Sequence, residues 1–132
     1  MGRNYAVVIE EFAERHFIKS FRKKYKTAWD ITERAIVAEL ERVDNLLLTD
    51  RAETITSAGE VMIIKTSFRI ANSKESAKTS GNRCIVVLNK KTAAVHVLLV
   101  YAKTDFHGTN ETVWWKCMVR DNYPRYKEMI TA

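Results

Sequence analysis

Val61-Met62-Ile63-Ile64-Lys65-Thr66-Ser67-Phe68-Arg69-Ile70 is the stretch whose reading decides the fold. Its two-residue periodicity puts Ile64, Phe68 and Ile70 on one side of a strand, with Lys65, Ser67 and Arg69 on the other. Asn82-Arg83 opens a further strand and Tyr101-Ala102-Lys103 closes another. Between Glu60 and His107 stand eight basic residues, Lys65, Arg69, Lys74, Lys78, Arg83, Lys90, Lys91 and Lys103, against the acidic Glu60, Glu75 and Asp105. The pattern predicts a sheet with an apolar face on the core and a cationic face suited to a polyanion.

Working outward, Tyr5 to Ile9 is a β-branched run that reads as a first strand. Glu11 to Tyr25 reads as a helix with an apolar stripe of Phe17, Ile18, Phe21 and Tyr25. Its other side carries Arg15, Lys19, Arg22, Lys23 and Lys24, followed by Lys26; cations in a last turn also suit the helix dipole. After a Thr27-Ala28-Trp29 connection, Asp30 and Glu33 have capping-box spacing and should open a second helix. Ile36, Leu40, Val43 and Leu47 recur there at helical spacing, which predicts an antiparallel helical hairpin. Asp50 to Gly59 is polar and reads as a connection.

The sheet is then expected from strands at Glu60–Ile70, Arg83–Leu88 and Val95–Tyr101, the last two joined by a hairpin at Asn89-Lys90-Lys91-Thr92. Whether Arg83 shares a face with Tyr101 and Lys103 depends on the parity of that hairpin, which the sequence leaves open. Residues 71–82 form a long, small, polar loop of the kind that is either functional or disordered. A last helix starts near Thr109 or Asn110, carries Trp115, Met118 and Val119 on one face and ends before Pro124. The expected fold class is α+β in the order β-α-α-β-β-β-α: an antiparallel sheet of about four strands on a helical hairpin, with an extra C-terminal helix.

At 132 residues the chain is read as a single domain with enough material for one core. A net charge of +6 suggests an anionic partner, although a merely solvated basic surface has the same composition. No apolar run approaches the ~20 residues of a membrane span, and the N-terminus has no signal-peptide pattern. Membrane association is therefore not expected, and the cytoplasm is the expected location. Cys84 and Cys117 lack metal-ligand spacing and read as thiols in a reducing compartment. No zinc spacing, nucleophile elbow, phosphate-binding glycine loop or dinucleotide fingerprint occurs, so neither metal nor cofactor is expected.

The ordered combination of the leading strand, the helical hairpin, Lys65, Phe68-Arg69, Gly81-Asn82-Arg83 and Val100-Tyr101-Ala102-Lys103 resembles the RelE/ParE toxin superfamily of toxin–antitoxin systems. The resemblance covers Tyr5 to about Asp105, and its most family-like part is an arginine that begins a strand after a Ser/Gly loop. It implies a RelE-like fold and one of two activities. RelE-type members are small ribonucleases that cut messenger RNA at the ribosome, whereas ParE-type members inhibit DNA gyrase; both are neutralised by an antitoxin that wraps the toxin. The family's basic residue on the second strand would be Lys65 or Arg69, its strand-opening arginine Arg83, and its basic residue past the last strand Lys103. RelE-type enzymes place a tyrosine or histidine near the C-terminal end of the sheet as acid or base. This chain instead runs on into Thr104-Asp105-Phe106-His107 and a Trp-rich helix, where His107 is the candidate.

Metal-free RNA cleavage needs a proton taken from a 2′-hydroxyl, charge neutralised on phosphorus, and a proton given to the leaving oxygen. Arg83 and Arg69 suit the second task because a guanidinium fork matches phosphate oxygens. Lys65 and Lys103 suit electrostatic help or proton transfer, and His107 has a fitting intrinsic pKa. Lys74, Lys78, Ser80, Asn82, Lys90 and Lys91 are the candidate nucleic-acid contacts. His96, between Val95 and Val97, reads as a sheet histidine with its hydrogen bonds satisfied. Trp114 and Trp115 read more readily as core than as stacking platforms. The leading expectation is a RelE-like, metal-independent endoribonuclease acting on RNA, with ribosome dependence open. Its partner would be an acidic antitoxin, and homodimerisation is open. The alternatives are a non-catalytic toxin-fold binder of a protein or nucleic acid, and an unrelated α+β domain with a small-molecule role.

Overall fold

A computed structural model describes residues 4–106 and 108–130. Strand β1 (Ala6–Ile9) leads into helix α1, which begins as Glu11–Ala13, widens into a π-helical turn at Glu14–Ile18 and continues as Lys19–Tyr25. Helix α2 (Thr27–Glu41) follows after a single residue, Lys26, whose φ of 51° turns the chain. Helix α2 thus starts three residues before the expected capping box. Asp30 lies in its first turn, and Glu33 accepts the indole N–H of Trp29 at 3.0 Å instead of capping. Arg42 breaks the helix, and the short α3 (Val43–Leu46) buries Val43 and Leu46.

The polar stretch expected to be a connection is in fact a strand, β2 (Ala52–Ala58), which pairs with β3 (Val61–Ser67) across Gly59-Glu60. The long loop that follows contains the one-turn helix α4 (Ala77–Ser80), opened by a Ser76 capping box and closed by Gly81 at φ 79°. Strands β4 (Arg83–Asn89) and β5 (Ala94–Tyr101) form the hairpin, and helix α5 (Glu111–Asn122) follows, capped by Asn110. A 3-10 segment, Pro124–Ile130, ends the described chain.

The architecture is α+β, as expected, but the sheet has five strands in the order β1-β5-β4-β3-β2, and it is mixed, not antiparallel. β1 runs parallel to β5, with Ala6 opposite Ala94 and Ile9 opposite Val97. The additional strand, β2, is a polar edge strand exposed at Glu53, Thr54, Ser57 and Ala58, so no apolar alternation marks it in the sequence. The parallel pairing is invisible locally because it is made between segments about ninety residues apart.

Cross-strand register assigns the faces. Ser67, Arg83 and Tyr101 are direct partners, as are Lys65, Ile85 and Leu99, so these six share one face. Ile64, Val86 and Val97 lie on the other, together with Phe68, whose ring meets Phe21 and Trp29 of the helical hairpin at 5.8 and 6.0 Å. Central strand β4 is buried without interruption from Cys84 to Leu88, which no sheet with a solvent face allows. The second face is closed by α5 and the 3-10 segment: Trp115 and Val119 are fully buried, and Tyr123 Oη donates to the Leu98 carbonyl at 2.8 Å. The expected open cationic face therefore does not exist as such. Its central part is apolar and covered, and the cations survive at one end.

A candidate anion-binding cleft

Lys65 and Arg83 meet at that end, in a cleft of about 210 Å³ also lined by Asp50, Arg51, Glu53, Ser67 and Lys78. Arg83 is there because it opens β4 immediately after the turn at Gly81-Asn82, directly opposite Ser67 and Tyr101. Its guanidinium closes the last turn of α4. Nη1 donates to the carbonyls of Ala77 (3.2 Å) and Asn82 (2.9 Å), and Nη2 to that of Lys78 (2.9 Å). Helix C-termini leave such carbonyls without partners, so the arginine is well placed as their donor.

Those bonds fix the guanidinium without cancelling its charge, since the acceptors are neutral. The other cations of the cleft are engaged differently. Arg51 pairs with Glu39, and Lys78 lies 3.5 Å from Asp50. Lys65 Nζ lies 2.9 Å from Glu111 Oε2 in the first turn of α5. Among the described residues, Arg83 is thus the cleft cation whose hydrogen-bond acceptors are carbonyls and not carboxylates. Three of its five N–H groups are assigned, which leaves two to meet an incoming anion.

Glu111 is not a residue that the sequence singles out, yet it joins the cleft lysine Lys65 to Tyr101 of β5. Its Oε2 accepts from Lys65 and also from the Tyr101 hydroxyl at 2.7 Å. Partial burial pushes its carboxyl up, but the bonds from Lys65 and Tyr101 and the charges of Lys65 and Arg83 outweigh that, holding it below the usual range. Tyr101 is fully buried, and burial followed by the bond to Glu111 raises its hydroxyl well above the ordinary value. The rings of Trp114 (4.9 Å) and Phe106 (6.0 Å) hold the tyrosine edge-on, so its hydroxyl has a fixed position. A glutamate in the first turn of a helix reads as an ordinary dipole partner, and nothing local announces a link to Lys65 forty-six residues earlier.

The remaining candidates divide. Arg69 lies beyond the end of β3 and lines a different cavity with Thr32, Ile36 and Phe68 on the helical-hairpin side; the two cavities meet at Arg51. It does not join Lys65 and Arg83, because the chain leaves the sheet after Ser67. Exposed Lys103 follows β5 and lays its stem over Gly81, so it flanks the Arg83 turn. His107 falls outside the described residues. Lys74 and Lys78 are exposed on the α4 loop at the cleft end. Ser80 is used internally: its hydroxyl donates toward the Phe68 and Ala77 carbonyls and accepts from the Asn82 amide, while Asn82 is itself buried. Lys90 and Lys91 are exposed at the opposite end of β4, about 20 Å from Arg83 at strand rise. His96 is satisfied, with Nδ1 2.9 Å from Glu10 Oε2. Trp115 is core and Trp114 packs against Tyr101 and Phe17.

No protein-family model matches this chain, and neither a curated protein nor a solved structure matches it. Among the described residues, no helix is long and apolar enough to cross a membrane, and no cluster of three or more His, Cys, Asp or Glu could hold a metal ion.

Proposed function

We propose that this chain is a RelE-like toxin that binds RNA along the Arg83 cleft and cuts it by metal-independent transesterification. The observation that carries the reading is Arg83: a guanidinium held by three main-chain carbonyls, facing an open cleft, with donors to spare. A phosphodiester seated there would gain charge neutralisation from a group that need not reorganise as charge builds on phosphorus. The 2′-hydroxyl would pass its proton to solvent water as its oxygen bonds to phosphorus, the bond to the 5′-oxygen would break, and water would return a proton to that oxygen, with Lys65 and Lys103 adding positive potential. Lys74 and Lys78 would steer the strand toward the cleft. An acidic antitoxin segment covering this end of the sheet would compete with RNA for the same cations.

The second reading is a toxin-fold protein without catalysis, which binds a protein or nucleic-acid partner. One observation favours it: the Lys65 ammonium is already matched by the Glu111 carboxylate in the first turn of α5.

RNA cleavage by the wild type and by Arg83→Ala, measured with and without ribosomes, separates the two. The ribonuclease reading expects cleavage that falls about a hundredfold or more in the variant, the usual effect of removing a charge-stabilising donor. Absence of cleavage by the wild type in every condition leaves the binding reading.

A further inference from the structure

We infer that Lys65, Tyr101 and Arg83 form a subsite for one backbone phosphate of a single-stranded RNA, and that the chain's own Glu111 carboxylate fills this subsite in the free protein. The inference rests on the reading of the cleft as an RNA site and adds the atom-level acceptor and its internal competitor. A carboxylate and a phosphodiester each carry one negative charge on two oxygens, and both accept the same donors. Glu111 Oε2 takes the two donors that a phosphate oxygen beside the cleft lysine would use, Lys65 Nζ at 2.9 Å and Tyr101 Oη at 2.7 Å. Arg83, the cross-strand partner of Tyr101, brings a positive charge close enough to stabilise the carboxylate.

Burial argues that the donors belong to a built site. Tyr101 is wholly buried and its ring is fixed by Trp114 and Phe106, while the Lys65 side chain is 20% exposed. Leaving these donors without an acceptor would be costly, so an acceptor is needed there whether or not RNA is bound, and an anion also matches the Lys65 charge. The Glu111 side chain is 30% exposed and starts from the first residue of α5. It can rotate toward solvent while Trp115 and Val119 keep the helix seated. Exchange of one anion for another leaves Lys65 and Tyr101 satisfied throughout, so the fold does not have to open.

The test uses the full chain and a short single-stranded RNA carrying 2′-O-methyl groups, which cannot be cut. Binding is followed by fluorescence anisotropy at fixed salt for the wild type, Glu111→Gln, Glu111→Gln with Lys65→Met, and Arg83→Ala. Glutamine keeps an acceptor for Tyr101 but removes the competing charge. Glu111→Gln is expected to bind roughly fivefold or more tightly than the wild type, and adding Lys65→Met should abolish the gain. Equal or weaker binding by a Glu111→Gln protein that is folded at the assay temperature overturns the inference. Arg83→Ala binding as tightly as the wild type removes the underlying cleft reading instead. Should Glu111→Gln fold poorly, the carboxyl carbon resonance of Glu111 in the unaltered chain serves. It should move toward that of a solvated carboxylate as RNA is added, and a resonance that stays in place counts against the exchange. Displacement by inorganic phosphate but not by RNA would mean a free-phosphate site and would end the backbone assignment.

Discussion

Gly81 decides where the strand-opening arginine points. It ends α4 at φ 79°, a conformation that residues with a Cβ rarely adopt. A Cβ built on it would stand 2.9 Å from Lys103 Cδ, 3.1 Å from Cγ and 3.2 Å from Cβ. Gly81→Ala is therefore expected to lower stability by about 1–3 kcal/mol through backbone strain and to lift the Lys103 stem off the turn. Urea unfolding measures the first effect. The second should appear as weaker RNA binding at unchanged Arg83, and a variant with wild-type stability and binding would contradict both. The strand start at Asn82-Arg83 was legible, because an apolar run follows a long polar loop there, whereas the one-turn helix closed by Gly81 was not. Nor was Glu111. A residue type common in first helical turns carries no local mark of its partners Lys65 and Tyr101, which the fold alone brings to it.

At the scale of elements, the end of β5 and the start of α5 supply Tyr101 and Glu111, which hold the cleft lysine Lys65. Asn110 Oδ1 accepts the Val113 amide at 3.1 Å, fixing the first turn of α5 and with it Glu111. Asn110→Ala should cost about 1 kcal/mol, the usual worth of such a cap, and should speed amide exchange in the first turn of α5 while leaving β4 protected. Equal exchange in both proteins would show that the cap does not hold that turn. Helix positions were readable because 3.6-residue periodicity shows in the sequence, as with buried Ile36 and Leu40. The start of α2 was misplaced because Asp30 and Glu33 have the spacing of a cap, while the real break is the positive φ of Lys26. Strand β2 escaped notice because an edge strand needs few apolar residues. Its sign was Gly59 in a two-residue turn, with φ 63°, between the paired residues Ala58 and Val61.

For the whole molecule, two carboxylates bind the C-terminal layer to the sheet from opposite ends. Glu111 ties α5 to Lys65 and Tyr101, and Glu10 joins His96 of β5 to Arg125 of the last 3-10 segment. Burial tends to raise the Glu10 carboxyl, but the bonds from His96 and Arg125 outweigh it, so both groups titrate below the ordinary value of 4.5. A carboxylate depressed in the folded state contributes stability that is complete above its unfolded pKa and is lost as pH falls through the folded one. The melting temperature should therefore drop as pH is lowered from about 5 toward 3, and Glu111→Gln should flatten part of that slope. An identical acid profile for that variant would show that the Glu111 bonds do not stabilise the native state.

Alternation along Val61 to Ile70 and the strand start at Asn82-Arg83 determined that this is an α+β chain with Lys65 and Arg83 in strands, because side-chain direction in a strand follows from backbone geometry alone. Only the tertiary structure decided that the sheet has two covered faces, that Arg69 parts from Lys65, and that an acidic residue of the last helix sits among the cations. Those outcomes depend on which distant segments pack together, and the summed burial of Trp115, Val119 and their neighbours on the sheet outweighs any single local preference.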